Sequence, residues 1–283
     1  MNFLTGFAEI AHDYDGFILD LWGVIHNGVA PYPGAPECLA RLRDAGKKIV
    51  LLTNAPRRAT VIARQLERMG IEGALYDGIM SSGEATHLLL RDRPDPWYRA
   101  LGDRMFYIGP DRDLGLTDGI ALTKTDDPAD ASFILNTGPD HLRPPEEAEI
   151  FDAMLAECAA HGLPMVCANP DLEVIVDGRR VLCAGMLALR YLEMGGDARM
   201  LGKPDPAVYD PVLDMLDLPR RRVLAVGDAL RTDIAGAAAA GVASCWVLGG
   251  LHGEHLGEDP AEIEAEATKV GLAPVCAIRH LIW

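Results

Sequence analysis

With 283 residues, 49% of them apolar, the chain can bury a substantial core, enough for one large or two modest domains. Its 42 acidic residues against 26 Lys and Arg leave a formal net charge of −16, which excludes the basic stripe needed to bind nucleic acid or anionic membrane. No apolar run approaches the ~20 residues of a membrane span, the N-terminal stretch lacks the regions of a secretory leader, and the six cysteines show no CxxC spacing, so the expectation is a soluble cytoplasmic protein with buried free thiols.

Short apolar runs alternate with helical patterns, the arrangement of a parallel α/β sheet. The first run is FILDLWGVIHNG, residues 17–28, a buried strand that carries one acid, Asp20, at its end and Trp22 two positions on. In APECLARLRDAG (35–46), Leu39 and Leu42 recur at helical spacing, with Pro36 in the first turn and Gly46 as a C-terminal stop. KKIVLLTNAP (47–56) is a second buried strand, ending in Thr53 and Asn54, and RRATVIARQLERMG (57–70) is an amphipathic helix. SSGEATHLLLRD (81–92) opens another helix, with Ser81 or Ser82 as its N-cap.

From about residue 92 the pattern changes. RDRPDPWYRALGDR (91–104) is polar, carries Pro94 and Pro96, and reads as a boundary. Strands follow in RMFYIG and ASFILNTG, then a helix in PPEEAEIFDAMLAECAAHG (144–162) with acids in its first turn. MVCANPD (165–171) is another strand, Asp177-Gly178 signals a hairpin, and MLALRYLEMGG (186–196) is a helix. The pattern of the first third then returns, with strands in RRVLAVGDA and VASCWVLGG separated by the helical run DIAGAAAAG. The layout predicts a Rossmann-like, doubly wound parallel-sheet core formed by residues 1–88 and 198–283. A smaller α/β cap domain, residues 89–197, is inserted between them.

Asp20, Thr53 with Asn54, Lys203 in LGKPDP, and Asp228 with Asp233 in VGDALRTDIAG all fall at the carboxyl end of a predicted core strand or in the loop just after one. That is the edge where open parallel sheets bind ligands. Carboxylates converging there repel one another unless they share a divalent cation, and a small set of hard oxygen ligands suits Mg²⁺. A lysine and a Thr/Asn pair beside them would hold an anion's oxygens, which together describes phosphoryl transfer with Asp20 as a candidate nucleophile. Each piece taken singly has an ordinary reading, as a helix cap, a solvated lysine or a strand terminus. The order and placement of the whole set carry the argument.

In that order, DLWGV, LLTNAP, GKPDP and GDALRTDIAGA resemble the four motifs of the haloacid dehalogenase superfamily of phosphohydrolases. The place of the insertion and the phrase ANPD (168–171) resemble the class IIA subgroup with a large α/β cap, which includes nitrophenyl phosphatases, pyridoxal phosphatases and sugar-phosphate phosphatases. The resemblance covers nearly the whole chain. It implies Asp20 as nucleophile and metal ligand, Thr53 and Asn54 as the phosphate-binding pair, and Lys203 as the cation supporting phosphoryl group and nucleophile. Asp228 would be a metal ligand, Asp233 a ligand or a group behind the ligands, and the backbone carbonyl of Trp22 would complete the Mg²⁺ shell. Asn169, with Pro170 and Asp171, would form a cap loop at the substrate. The partner implied is a small phosphorylated metabolite, a sugar phosphate or similar, with a cap-mediated homodimer.

The family's phosphatases usually carry a second Asp two residues after the nucleophile, which protonates the leaving alcohol and then activates water. Here that position is Trp22, whose indole N–H is a donor only. Three readings follow. The protein is a phosphatase of good leaving groups, or one that borrows its acid from His26 or His252, either of which could titrate near neutrality. It is a phosphotransferase or poor hydrolase whose aspartyl-phosphate turns over slowly. Or it binds Mg²⁺ and a phosphorylated ligand without turnover. A packing role for Trp22 is compatible with each, and a carbon–halogen hydrolase fits less well with Asn54, Lys203 and both later acids.

Overall fold

The computed structural model describes residues 1–140, 147–176, 179–250, 257 and 259–283. Within it the chain divides into two compact units, one of residues 1–53, 60–80 and 203–283, the other of residues 54–59 and 81–202.

The first unit is built on a seven-stranded sheet in the order Asn2–Leu4, Cys276–Ile278, Ala243–Val247, Val223–Gly227, Gly16–Leu19, Lys48–Thr53, Gly78–Ser81. From Asn2–Leu4 across to Lys48–Thr53 every pairing is parallel. A parallel sheet covered on both faces needs strands that are apolar on both sides. Gly16–Leu19 and Val223–Gly227 meet that need with every residue buried. Along this order the chain runs outward in one direction through Gly16–Leu19, Lys48–Thr53 and Gly78–Ser81. It runs outward in the other through Val223–Gly227, Ala243–Val247 and Cys276–Ile278. The switch therefore lies between Gly16–Leu19 and Val223–Gly227, where Leu19 stands opposite Val226. Ligands of open α/β sheets bind at the carboxyl ends flanking such a point.

The second unit has its own five-stranded parallel sheet, ordered Ala198–Met200, Met165–Cys167, Phe133–Asn136, Arg104–Ile108, Thr123–Thr125. Side chains of successive residues leave opposite faces. Accordingly, Phe106, Ile108, Ile134, Met165 and Cys167 join one apolar cluster, while Met105, Tyr107, Phe133, Leu135 and Val166 join another. An antiparallel pair, Glu173–Val176 with Arg179–Leu182, brackets Asp177 and Gly178, which lie outside the described residues.

The helix Ser82–Asp92 is capped by the Ser81 hydroxyl, which accepts from the Glu84 N–H. That helix and the strand Ala198–Met200 belong to the second unit, which takes in residues 81–202 together with 54–59. The reason is packing, because Leu90 is buried among Tyr98, Leu101 and Leu116, and Ala198–Met200 pairs with Met165–Cys167. The polar stretch expected as a boundary is instead ordinary structure of that unit. Asp95 caps a short helix, Pro96–Ala100, that buries Tyr98. The helix expected over 144–162 is regular from Asp152 to Ala160, after a tight 3₁₀ turn at Ala148–Phe151. Its first-turn acid is thus Asp152, with Glu147 and Glu149 ahead of it. No described helix is long and apolar enough to cross a membrane.

Candidate active site

Asp20 directly follows the strand Gly16–Leu19, and Asp228 directly follows its neighbour Val223–Gly227, so the two acids stand at the strand ends flanking the switch point. The Asp20 N–H donates to the Val226 carbonyl, which carries the pairing one residue past the strand. Asp233 arrives by a different route. Leu230–Ile234 winds as a single π-helical turn before the helix Ala235–Ala239, and Asp233 sits inside it. Such single π-turns are rare and occur frequently at functional sites.

Asp20, Asp228 and Asp233 are 7%, 4% and 6% exposed, and each places a carboxylate oxygen within 4.8 Å of the other two. The ammonium of Lys203, 3% exposed, donates to Asp20 Oδ1 at 2.7 Å, to Asp233 Oδ1 at 2.6 Å and to the Leu52 carbonyl at 3.1 Å. All three of its hydrogens therefore have acceptors. The second oxygen of Asp233 accepts the Ala229 N–H at 3.1 Å. Burial penalises the Asp20 carboxylate and pushes its pKa up to about 7, against the pull of Lys203. Burial also works against the Lys203 ammonium, but Asp20 and Asp233 outweigh it and hold its pKa above the ordinary value.

The charge balance identifies what the cluster lacks. Fully ionised, three carboxylates and one ammonium carry two net negative charges in a buried setting, where charge is costly to hold. A divalent cation offsets both, and all-oxygen donors at this spacing suit a hard ion.

Gly23 makes room for Asp228. Its φ is +87°, and a Cβ there would lie 2.1 Å from Asp228 Oδ2. The Trp246 indole N–H donates to the Asp228 carbonyl at 2.9 Å and fixes that acid from behind. Neither residue stands out in the sequence, where the only local hint is a Gly immediately after Trp22. A Gly23→Ala variant is expected to weaken divalent-cation affinity by about tenfold, because it strains the backbone and displaces Asp228. Thermal shift against added Mg²⁺ measures this.

The loop after Asp20 is compact. Trp22 and His26 meet edge to face with ring centroids 5.8 Å apart, and the Trp22 ring lies against Gly28. The Trp22 Nε1–H is buried with no hydrogen-bond partner among the described residues. His26 Nδ1 accepts the Gly28 N–H at 3.0 Å, and burial pushes the imidazole pKa down to about 4. The expectation that His26 titrates near neutrality is corrected accordingly, since a neutral ring whose free nitrogen already accepts a bond is not a useful acid at pH 7. His252 lies outside the described residues.

Thr53 is buried at the end of Lys48–Thr53, next to the Leu52 carbonyl that receives Lys203. Asn54 belongs to the second unit, where its Nδ2 donates to Asp171 Oδ1 at 2.9 Å. Asn169 is buried at the start of the 169–171 turn. Its side-chain oxygen accepts the Asp171 N–H at 2.9 Å and its side chain also bonds Cys183, so the carboxamide shapes the 169–171 turn.

The sequence profile of haloacid dehalogenase-like hydrolases matches residues 17–119, and that of HAD-hydrolase-like proteins matches residues 200–270. The chain is 30% identical over 253 residues to a D-glycerol 3-phosphate phosphatase of Mycobacterium tuberculosis, covering 86% of this chain and 65% of that protein. It thus spans just under two thirds of that relative's length. It is 30% identical over 236 residues to chronophin of Rattus norvegicus, covering 80% of this chain and 74% of chronophin. A crystal structure of a haloacid dehalogenase-like hydrolase from Brucella suis superposes with a TM-score of 0.84 at 28% identity, covering 99% of this chain and all of that one. The acids, the lysine and the relatives agree: the chain belongs to the haloacid dehalogenase-like hydrolase family.

Proposed function

We propose that the protein hydrolyses small phosphorylated metabolites, sugar phosphates or similar, with Mg²⁺, through an aspartyl-phosphate on Asp20. The observation that carries this reading is Lys203 held between Asp20 and Asp233, with Asp228 in the same cluster. One oxygen of Asp20 is engaged by Lys203, and its carboxylate attacks phosphorus as the ester P–O bond breaks. Water then attacks the phosphorus, the P–O bond to Asp20 breaks, and the carboxylate is restored with release of phosphate. Lys203, with Thr53 and Asn54, holds the phosphoryl oxygens. Mg²⁺ bound by Asp20, Asp228, Asp233 and the Trp22 carbonyl would offset charge on those oxygens.

Trp22 stands where the general acid and base of such enzymes is expected, and neither it nor the neutral His26 delivers a proton at pH 7. Losing that group costs about 10²–10⁴-fold on poor leaving groups. Leaving groups that depart as stable anions escape most of this cost. The test is phosphate release with Mg²⁺ from aryl, acyl and alkyl phosphates, beside an Asp20→Asn variant and an EDTA blank. Activity that needs Asp20 and metal and falls steeply as leaving-group pKa rises is the expected result. In that case Trp22→Asp should raise alkyl phosphate turnover by about 10-fold or more while changing aryl phosphate turnover little. Equal rates on alkyl and aryl phosphates would assign the proton to another group, and His252→Ala would be the next variant. Release of nothing from any ester would overturn the reading.

Slow turnover with transfer to added alcohols is the second reading, favoured by the same missing acid. The second unit is assigned the choice of substrate. A cytoplasmic setting fits the six buried thiols, of which burial pushes Cys38 and Cys167 up to about 12.

A further inference from the structure

We propose that Asp171 is a positioning residue, which fixes the orientation of the Asn54 carboxamide so that its N–H end serves the phosphoryl group. This rests on the reading above that Asn54 binds phosphate. Asn54 and Asp171 are 117 residues apart in sequence and meet within the second unit. Asn54 Nδ2 donates to Asp171 Oδ1 at 2.9 Å, while Asn54 Oδ1 accepts from the Ser82 hydroxyl at 3.4 Å. Turning the amide over would set its oxygen against a carboxylate oxygen, two acceptors with no hydrogen between them. Asp171 therefore decides which end of Asn54 is the donor. A free asparagine side chain offers an anion its oxygen as readily as its nitrogen, and only the nitrogen end attracts phosphate.

Asp171 is itself held. Its N–H donates to Asn169 Oδ1 at 2.9 Å, and its carbonyl accepts the Gly185 N–H at 3.0 Å as the helix Ala184–Glu193 begins. A Cβ at Gly185 would lie 2.3 Å from the Pro170 oxygen and 2.6 Å from that of Asp171, so the turn and the helix meet backbone to backbone. On the far side of the amide, Gly202 has φ +134°, and a Cβ there would lie 2.5 Å from Asn54 Oδ1 and 2.2 Å from the Ser82 hydroxyl. The helix start thus braces the Asn-Pro-Asp turn, and the turn and Gly202 meet the carboxamide from two sides. Asp171, Ser82 and Gly202, from three separate stretches of the second unit, meet this one side chain.

The test is a double-mutant cycle on the intact chain with Asp171→Ala, Asn54→Ala and the pair, reading kcat and KM on an aryl phosphate and the inhibition constant of inorganic phosphate. Asp171→Ala is expected to raise KM and the phosphate inhibition constant by about tenfold with kcat changed less than threefold, the size of one net hydrogen bond. Asp171→Asn retains an acceptor oxygen for Asn54 Nδ2 and is expected to match the wild type within about twofold. The double variant should behave like Asn54→Ala alone, because the role of Asp171 passes through Asn54. Additive effects, or an Asp171→Ala protein with unchanged KM and phosphate inhibition, would overturn the proposal. If Asp171→Ala does not fold, the Asp171→Asn comparison and Asp171→Ser decide it, since serine can point a hydrogen at Asn54 and should not rescue fully. Asp20-dependent turnover in the wild type with an additive cycle sinks this inference alone, whereas a wild type that neither turns over esters nor binds phosphate sinks the proposed function with it.

Discussion

Replacing Lys203 with Met is expected to destabilise the metal-free protein by about 3–5 kcal/mol at pH 8 and to reduce turnover by about 10²-fold or more. The ammonium is the only cation that the described residues place against Asp20 and Asp233, at 2.7 and 2.6 Å, and all three groups are buried. Taking it away leaves two carboxylates facing each other in a medium that solvates neither. Asp20, whose pKa burial already pushes up to about 7, can escape by taking up a proton, so the cost should shrink as pH falls from 8 toward 5. Urea denaturation of wild type and variant at both pH values measures the difference. A Lys203→Met protein as stable as wild type at pH 8 would mean that the ion pairs are not formed in solution. Saturating Mg²⁺ should recover part of the lost stability, though not the turnover.

Asp20→Asn should behave in the opposite sense on stability while removing activity by about 10⁴-fold or more. The folded-state pKa of Asp20, about 7, lies above its ordinary value of 3.8, so the folded protein binds this proton more tightly than the unfolded chain. Its contribution is favourable below the ordinary value and is lost as pH rises through about 7. Metal-free wild type should therefore lose stability between about pH 4 and pH 7 relative to Asp20→Asn, by a few kcal/mol in total. Above pH 7 the inactive variant should melt higher than the wild type, and added Mg²⁺ should close the gap by binding the wild type. Parallel melting curves across that range, with and without metal, provide the check. Parallel pH profiles for the two proteins would show that Asp20 is not the desolvated carboxylate of the cluster.

The strand-end positions of Asp20, Thr53 and Asp228 are legible in the sequence, because a buried parallel strand announces itself as an apolar run and its end as the first polar residue. Lys203 and Asp233 are legible through the order of motifs, not through any local signal. What the sequence hides depends on contacts between distant residues. The neutral state of His26 comes from its burial, which no window of sequence reports. The allegiance of Asn54 to the second unit follows from a bond to Asp171 formed far along the chain. The π-helical turn at Leu230–Ile234 is also unmarked, since its residues would serve an ordinary helix as well. The polar run 91–104 misleads for the same kind of reason. Two prolines and many charges signal a break, yet Asp95 and Pro96 start a helix that buries Tyr98.

The switch point between Gly16–Leu19 and Val223–Gly227 also bears on how the protein is made. Asp20 and Thr53 leave the ribosome early, but the strand that must lie beside Asp20 and the acids that complete the cluster are synthesised some 200 residues later. Until then the central seam of the first sheet has only one edge, an apolar strand with no neighbour to cover its backbone groups. The second unit, contiguous from 81 to 202 apart from one short segment already made, can fold while the first waits. A chain interrupted between residues 203 and 222 would thus hold a complete second unit and a half-built first one, and it would present its open strand to chaperones.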